Sequence, residues 1–344
     1  MILIDSIYIH QSGGKILLHY FLANLEKEHK DYTLLLDSRM DKRFFSILNF
    51  AKSIIILEPS EYSRKLFYKE NYSKFKTIFC FSNVPPPFRI KKISVFIYFH
   101  NVLLLTHLFD KNGYNLVQNL KFILKKIYLN IYNRNEYNWI VQTDNIKLLV
   151  KKNLWATRNK IFILPFYNIN SSAIKKKYIP QTFLYVADGV SQKNHNRLFD
   201  AFEMLHKDGI NFKLILTVPT YFYKLINKII ILKEKGLQIE NYGTIEPDKL
   251  KNLYINSEFL IFPSLRESFG LPLLEAASYG CKVIASDLPY VNVIIKPTDN
   301  FDPYDTISIY NSIIRNINPN NGKQTSIKIT NKITDLIKIL INNE

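Results

Sequence analysis

Residues 257–280 read SEFLIFPSLRESFGLPLLEAASYG, with two glutamates, Glu267 and Glu275, on either side of Ser-Phe-Gly-Leu-Pro. The run EFLIF (258–262) is short and apolar, the pattern of a strand inside a parallel sheet. Gly270 permits a tight turn. Pro272 suits the first turn of a helix, where its missing N–H costs nothing. Leu271, Leu274 and Ser278 then share one helical face. A helix beginning at the carboxyl edge of such a strand stands where open α/β sheets bind ligands. Its unpaired N–H groups and positive dipole end favour an anion such as phosphate. Glu275 falls about one turn into the helix, and helical side chains lean toward the N-terminus. Its carboxylate therefore reaches back to whatever is held there. A carboxylate repels phosphate but accepts hydrogen bonds from a sugar diol. Glu267, on the strand-end loop, faces the same crevice. A diol, a diphosphate and a second polar group together describe a nucleotide-sugar.

Outward from this stretch the chain alternates between strand and helix patterns. Apolar runs at 2–9, 32–37, 53–57, 77–81, 93–99, 139–143 and 161–164 read as strands, with helical runs between several of them. From 115 to 134, Leu116, Leu120, Ile123, Leu124, Ile127 and Ile131 share one helical face. Residues 165–182, PFYNINSSAIKKKYIPQT, are polar and aperiodic and read as a linker. A second alternating series follows, with FLYVA (183–187), FKLILTV (212–218), QIENYG, EFLIF and KVIAS (282–286) as strands. At the end, Ile333, Leu336, Ile337, Leu340 and Ile341 form an amphipathic stripe, with Asn331 as its expected N-cap. The reading is an α/β chain with domains at 1–165 and 183–325, a linker at 166–182, and a terminal helix at 326–344 that buries its stripe on the first domain.

The chain has 344 residues, a formal net charge of +17, and two cysteines, Cys80 and Cys281, in apolar runs. Two buried reduced thiols with no metal spacing imply a reducing cytoplasm. Met1 leads straight into ILIDSIYIH without a signal pattern. The longest apolar run, ISVFIYFHNVLLLTHLF (93–109), carries His100, Asn101 and His107, so it reads as a buried strand and loop rather than a membrane span. The charge fits nucleic acid, an anionic membrane surface or a phosphorylated substrate. It also fits a plain Lys/Ile/Asn compositional bias. No nucleic-acid-binding motif accompanies it.

Residues Glu267-Ser-Phe-Gly-Leu-Pro-Leu-Leu-Glu275 resemble the donor-site signature of the retaining glycosyltransferases of family 4. Phe262-Pro-Ser264, Val283-Ile-Ala-Ser-Asp287 and FDPYD (301–305) extend the resemblance over most of 183–316. It implies the GT-B fold, in which two tandem Rossmann-like domains face each other across a cleft. It implies that Glu275 holds the ribose, that Glu267 contacts the transferred sugar, and that Phe269, Gly270 and Leu271 line the sugar and diphosphate, with Ser268 and Arg266 beside them. The family's basic pair is matched at Lys193 in YVADGVSQKNHNRLFDAF. Its usual Arg falls near Asp188, a departure for which Arg266 is the candidate substitute. Less closely, Gly13 and Gly14 match the family's glycine loop, and His100 matches a sugar-contacting His. Gln142 and Thr143 are weaker candidates on the acceptor side.

The resemblance implies transfer of a sugar, with retention, from a UDP- or GDP-linked donor to a hydroxyl of a lipid-linked oligosaccharide in bacterial surface polysaccharide synthesis (O-antigen, capsule or lipopolysaccharide). Catalysis is expected to rest on Glu267, Lys193 and His100, with no cofactor and, in the absence of any Asp-x-Asp, no metal. Lys121, Lys125, Lys126 and Arg134 on the polar side of 115–134 fit peripheral docking on the cytoplasmic face of the inner membrane. Two alternatives stay open: a nucleotide-sugar epimerase of the same fold, and a non-catalytic subunit that binds nucleotide-sugar, which the Asp188 departure favours. An α-glucan phosphorylase does not fit, because the chain is short and shows no pyridoxal lysine.

Overall fold

The computed structural model describes residues 1–41, 48–105, 116–156, 158–169, 178–317 and 323–343. It divides into two compact units. The first holds Met1–Asp110, Asn115–Asn168 and Thr330–Glu344, and the second is built on Ile169–Ile329.

Among the described residues the first unit contains one parallel sheet of β1 (Ile2–Asp5), β2 (Tyr32–Asp37), β3 (Ala51–Leu57), β4 (Thr77–Cys80), β5 (Ser94–Tyr98), β6 (Asn138–Val141) and β7 (Ile161–Ile163). Their order across the sheet is β3-β2-β1-β4-β5-β6-β7. Strands β1, β2 and β4 are buried along their whole length, as expected of a sheet covered on both faces. Helices α1 (Ser12–Leu25), α2 (Glu61–Asn71), α3 (Leu116–Tyr132) and α4 (Asp144–Asn153) connect them. Asp5, ending β1, is fully buried and accepts from Arg64 Nε at 2.7 Å and from the Tyr68 hydroxyl at 2.8 Å. A buried charge is tolerated where partners satisfy it in this way.

The second unit carries β8 (Ile179–Tyr185), β9 (Lys213–Leu216), β10 (Ile239–Asn241), β11 (Ser257–Phe262), β12 (Lys282–Ser286), a short antiparallel pair of β13 (Ile295–Lys296) and β15 (Ser326–Ile327), and β14 (Asp299–Phe301). The main sheet runs β10-β9-β8-β11-β12-β14 and is parallel throughout. Strand order reverses between β8 and β11, so ligands are expected outside the carboxyl ends of those two strands. Helices α5 (His195–Lys207), α6 (Tyr223–Glu234), α7 (Pro247–Asn256), α8 (Leu271–Ser278), α9 (Pro289–Ile294) and α10 (Thr306–Ile317) cover it.

The two α/β domains and the returning helix of the sequence reading are both present. Helix α11 (Ile333–Asn342) buries Ile333, Leu336, Ile337 and Leu340 in the first unit, against α1 and β4. Lys332, not Asn331, occupies its N-cap. Asn331 still accepts from the Ile333 amide at 3.1 Å, while its amide group donates to Tyr20 and to the Tyr167 carbonyl. Anchoring the chain's return displaced it from the capping position. Other boundaries moved too. The run 2–9 ends as a strand at Asp5, and β8 starts at Ile179, inside the expected linker. Residues 170–177 of that linker, His107, and the start of the 115–134 run lie outside the described residues. Cys80 and Cys281 are buried free thiols. Burial pushes the Cys80 thiol up to about 12.

Candidate active site

The second unit gathers most of the predicted residues at the carboxyl ends of β8 and β11. After β8 the chain turns through Asp188, whose Oδ1 accepts from the Val190 amide at 3.4 Å, and enters a single 3₁₀ turn, Ser191–Lys193. Gly189 is there for steric reasons: a Cβ at this position would lie 2.4 Å from Cγ of Phe222. The Tyr185 hydroxyl donates to the Lys193 carbonyl at 2.6 Å, and the Leu265 amide donates to the Gln192 carbonyl at 2.8 Å. The 3₁₀ turn is thereby tied to the loop after β11, and across that junction Lys193 Nζ meets Glu267 Oε1 at 2.6 Å. Both side chains are mostly enclosed, with exposures of 16% and 12%. Two residues assigned separately to the diphosphate and to the sugar are one ion pair.

Asn194 locks this arrangement. It takes the left-handed conformation at φ +60, which Asn tolerates better than other non-glycine residues. Its buried amide group donates to the carbonyls of Pro263 and Pro303 at 3.2 and 2.7 Å. The loops after β8, β11 and β14 are thus held together by one side chain. Beside it, His195 is buried against Tyr185, with neither ring nitrogen hydrogen-bonded. Burial and the Lys193 charge push its pKa down to about 3, so the ring is neutral.

Gly270 caps α8 in the left-handed conformation, φ +73, where L side chains are strained. Leu271 and Pro272 open the helix, with Leu273, Leu274 and Ala276 facing the core. Of the first three α8 residues, Pro272 has no N–H and the Leu273 amide donates to the Gly270 carbonyl at 3.0 Å, which leaves the Leu271 amide at the turn. Half-buried Arg266 and Ser268 and the buried Phe269 make up the turn between β11 and α8. Glu275 stands one turn into α8 and accepts from the Tyr254 hydroxyl of α7 at 2.7 Å. Burial raises its carboxyl above the usual range, against the lowering effect of that bond. FDPYD does local work: Asp305 Oδ1 accepts from the Ile307 amide at the start of α10.

The first unit holds the remaining predicted residues. Gly13 and Gly14 lie inside the first turn of α1 rather than in a loop before it. A Cβ on Gly14 would crowd Ile9 at 3.3 Å and lie in ordinary contact with His100 Nε2 at 3.7 Å. His100 follows β5, and its amide donates to Asn83 Oδ1 at 2.6 Å. Its ring lies over Tyr98, and burial lowers its pKa to about 4. Thr143 is engaged as the N-cap of α4. Gln142 is buried, with its amide nitrogen unpaired.

Sequence reasoning missed the common property of this edge. His10, Ser82, His100 and Gln142 follow β1, β4, β5 and β6, four adjacent strands, and each keeps a buried polar atom with no hydrogen-bond partner, as does Tyr98. Native folds seldom leave such groups unsatisfied unless something else occupies them.

Comparison with known proteins agrees with this geometry. The family model for glycosyl transferases group 1 matches residues 168–330. An O-antigen chain mannosyltransferase, RfbU of Salmonella typhimurium, is 24% identical over 199 residues, 56% of each protein. A serotype-specific mannosyltransferase, WbdA of Escherichia coli, is 33% identical over 114 residues, 31% of this chain and 14% of the relative. The match thus spans little more than half of the first relative and a small part of the second. Among solved structures, Anabaena HepE in complex with UDP and glucose superposes with a TM-score of 0.66 at 12% identity, covering 98% of this chain and 95% of that one. That likeness shows the fold, which is GT-B. Residues 168–330, which carry the Glu267–Glu275 signature, are thus similar to the glycosyl transferases group 1, and the likeness supports a glycosyltransferase.

Proposed function

We propose that the protein is a retaining, metal-independent glycosyltransferase of family 4 type. It moves a sugar from a nucleoside-diphosphate sugar to a hydroxyl of a lipid-linked saccharide in bacterial surface polysaccharide synthesis. The observation that carries this reading is the enclosed Lys193–Glu267 pair at 2.6 Å beside the α8 N-terminus, with Glu275 one turn further on. An ammonium has three donors. One is spent on Glu267, leaving two for diphosphate oxygens. The second oxygen of Glu267 is left for a hydroxyl of the transferred sugar. The positive end of the α8 dipole adds potential at the leaving group. Glu275, with Oε2 held by Tyr254, presents Oε1 to the ribose diol. In the transfer, the bond from the anomeric carbon to the diphosphate oxygen breaks, and the acceptor oxygen bonds on the same face. The acceptor's proton passes to the leaving oxygen.

In the first unit we assign the transferred sugar to His100 and the start of α1 at Gly13 and Gly14. Gln142 is assigned to the acceptor, with Thr143 shaping its surroundings as the α4 cap. Buried neutral His100 donates or accepts a hydrogen bond without adding charge. The names of both curated relatives favour a mannosyl group, and the HepE complex favours a uridine nucleotide, so the donor class is UDP- or GDP-sugar. Peripheral attachment to an anionic membrane fits the +17 charge.

The test is a thermal-shift screen against UDP, GDP, ADP, CMP and TDP without metal, with Glu275→Ala alongside. A ligand that binds only the folded state raises its melting temperature. A shift with one nucleotide, absent in the variant, supports the donor site. Transfer assays with the matching sugars, read by the product's anomeric coupling, then decide retention. No shift with any nucleotide would overturn the reading.

A further inference from the structure

Asn83 and His100 follow β4 and β5, adjacent strands, at the carboxyl edge of the first sheet. The His100 amide donates to Asn83 Oδ1 at 2.6 Å. A backbone N–H only donates, so the atom it meets is the carboxamide oxygen, and the other end of that carboxamide is its nitrogen. The nitrogen stands 3.4 Å from Nε2 of the His100 ring. It is a donor only. A proton on Nε2 would therefore set N–H against N–H. The ring is neutral, because burial lowers its pKa to about 4, and a neutral imidazole has a single N–H. Nε2 is thus the bare nitrogen, and Nδ1 carries the hydrogen. At 3.4 Å the contact is long for a hydrogen bond, so it acts more by excluding the other tautomer than by strengthening this one. Nδ1 is buried and has no hydrogen-bond partner among the described residues.

Asn83 is itself held from several sides. Its backbone is left-handed at φ +69, which Asn tolerates better than most residues, and its amide donates to the Tyr98 carbonyl at 3.2 Å. The next two carbonyls, of Val84 and Pro85, accept from the Arg64 guanidinium at 3.0 and 2.7 Å. Arg64 is fully buried and anchored on Asp5. Three successive prolines, Pro85, Pro86 and Pro87, restrict the backbone beyond. A buried ion pair thus fixes the loop whose carboxamide meets both the amide and the ring of His100. We propose that Asn83 is a positioning residue that presents His100 to the transferred sugar as an Nδ1–H donor. This rests on the assignment of that sugar to His100. The sugar atom against the ring then accepts a hydrogen bond, and the imidazole takes no proton from the acceptor during transfer. A sugar with no acceptor at that place leaves the buried N–H unpaired and is selected against.

The first test is heteronuclear NMR of the full chain with isotope-labelled histidines and no nucleotide, above neutral pH so that the ring keeps a single proton. The His100 signals are identified by their absence from His100→Gln, and the two-bond couplings within the ring tell which nitrogen is protonated. Nδ1 should be. In Asn83→Asp a carboxylate oxygen replaces the amide nitrogen, and a carboxylate only accepts. The proton should move to Nε2, while the bond to the His100 amide and the left-handed backbone are kept. A sugar hydroxyl both donates and accepts. The second test therefore uses nucleotide-sugars whose hydroxyls are replaced one at a time by fluorine, which only accepts, or by hydrogen, which does neither. At one position the parent should bind the fluoro sugar about threefold more tightly than the deoxy sugar, and Asn83→Asp should abolish that preference. A proton on Nε2 in the parent would overturn the proposal, and that result stands even if Asn83→Asp fails to fold. So would an Asn83→Asp protein that melts lower but keeps the parent's tautomer, since Asn83 would then only brace the loop. A switch of tautomer with no fluorine preference lost would overturn the donor role. A switch of tautomer in a protein that no nucleotide stabilises would leave Asn83 setting the His100 ring and remove the transferase reading.

Discussion

Gly189→Ala should be the most damaging one-methyl change in the donor loop. The Cβ it adds would sit 2.4 Å from Cγ of Phe222, 2.7 Å from Cδ1 and 2.8 Å from Cβ. Carbon atoms pack at about 3.5–4.0 Å, so roughly 1 Å of overlap must be relieved. A rotamer change of Phe222 moves Cγ and Cδ1 away, but Cβ is fixed to the backbone at the start of α6. The loop itself must therefore shift. Overpacking of this kind costs about 1–3 kcal/mol. For a unit of this size about 2 kcal/mol lowers the melting temperature by roughly 4–8 °C. The shift also carries Lys193 away from Glu267, because Val190 and Lys193 are bonded within the same turn. Nucleotide affinity should therefore fall together with stability. Phe222→Ala in the Gly189→Ala background should recover most of the loss but not all, since the 2.8 Å contact remains. The measurement is differential scanning fluorimetry of the parent and the two variants with and without nucleotide. A Gly189→Ala protein that melts within about 1 °C of the parent and binds nucleotide normally would refute the steric account.

Lys193→Met should weaken nucleoside-diphosphate binding about tenfold to a hundredfold by calorimetry, the worth of a charge-assisted hydrogen bond. For Glu275 the folded pKa is raised, so the folded state holds the proton more tightly than the unfolded one, and stability declines as pH rises through that pKa. Glu275→Gln should hence raise the apo melting temperature at neutral pH while abolishing the nucleotide shift. His195 has the opposite sign. Its folded pKa of about 3 lies below the unfolded value, so stability is lost as pH falls from about 6.5 toward 3, by about 2 kcal/mol at pH 5. Urea midpoints at pH 7 and 5 should converge in His195→Phe. Gln142→Leu removes a buried unpaired amide. It should stabilise the first unit by about 1 kcal/mol and lower transfer to acceptor more than donor hydrolysis.

How much of this was legible follows from the range of each interaction. EFLIF, Gly270 and Pro272 each act within a turn of their own position, so β11, the αL cap and α8 could be read directly. Strand ends could not. The apolar run 2–9 continues past β1 because the chain turns at Ser6, whose hydroxyl donates to the Leu35 carbonyl, and Ile7 and Ile9 stay buried in the turn. Apolar residues mark burial there, not extension. Asn194 was passed over because its partners, Pro263 and Pro303, lie 69 and 109 residues away. The Lys193–Glu267 pair spans 74 residues. Each half was identified on its own, and their union was not. In α3, periodicity showed which residues share a face, but not that the core would take Phe122 and Leu129 instead of the longer apolar row.

The two units differ in how they hold polar groups at their strand ends, and the difference bears on what each binds. The second unit pairs its charges in advance, Lys193 with Glu267 and Glu275 with Tyr254, although the neutral His195 ring beside them keeps no partner. In the proposed site an arriving diphosphate takes the two Lys193 N–H groups that Glu267 leaves. Reorganisation is small, and the gain comes from the added charge at the leaving group. The first unit instead leaves His10, Ser82, His100 and Gln142 each with a buried atom unpaired. Each such group costs about 1–3 kcal/mol. A neutral ligand rich in hydroxyls recovers that cost by supplying both donors and acceptors, whereas an anion would supply acceptors only. The neutral His100 imidazole, a carboxamide and hydroxyls would suit a sugar in the way that a lysine and a helix terminus suit a diphosphate. The same contrast explains why the signature around Glu267 could be recognised closely while in the first unit His100 and Gln142 were only loosely matched and His10 and Ser82 were missed. Charged residues in a tight turn leave a pattern in the sequence, whereas unsatisfied groups are visible only once their lack of partners is.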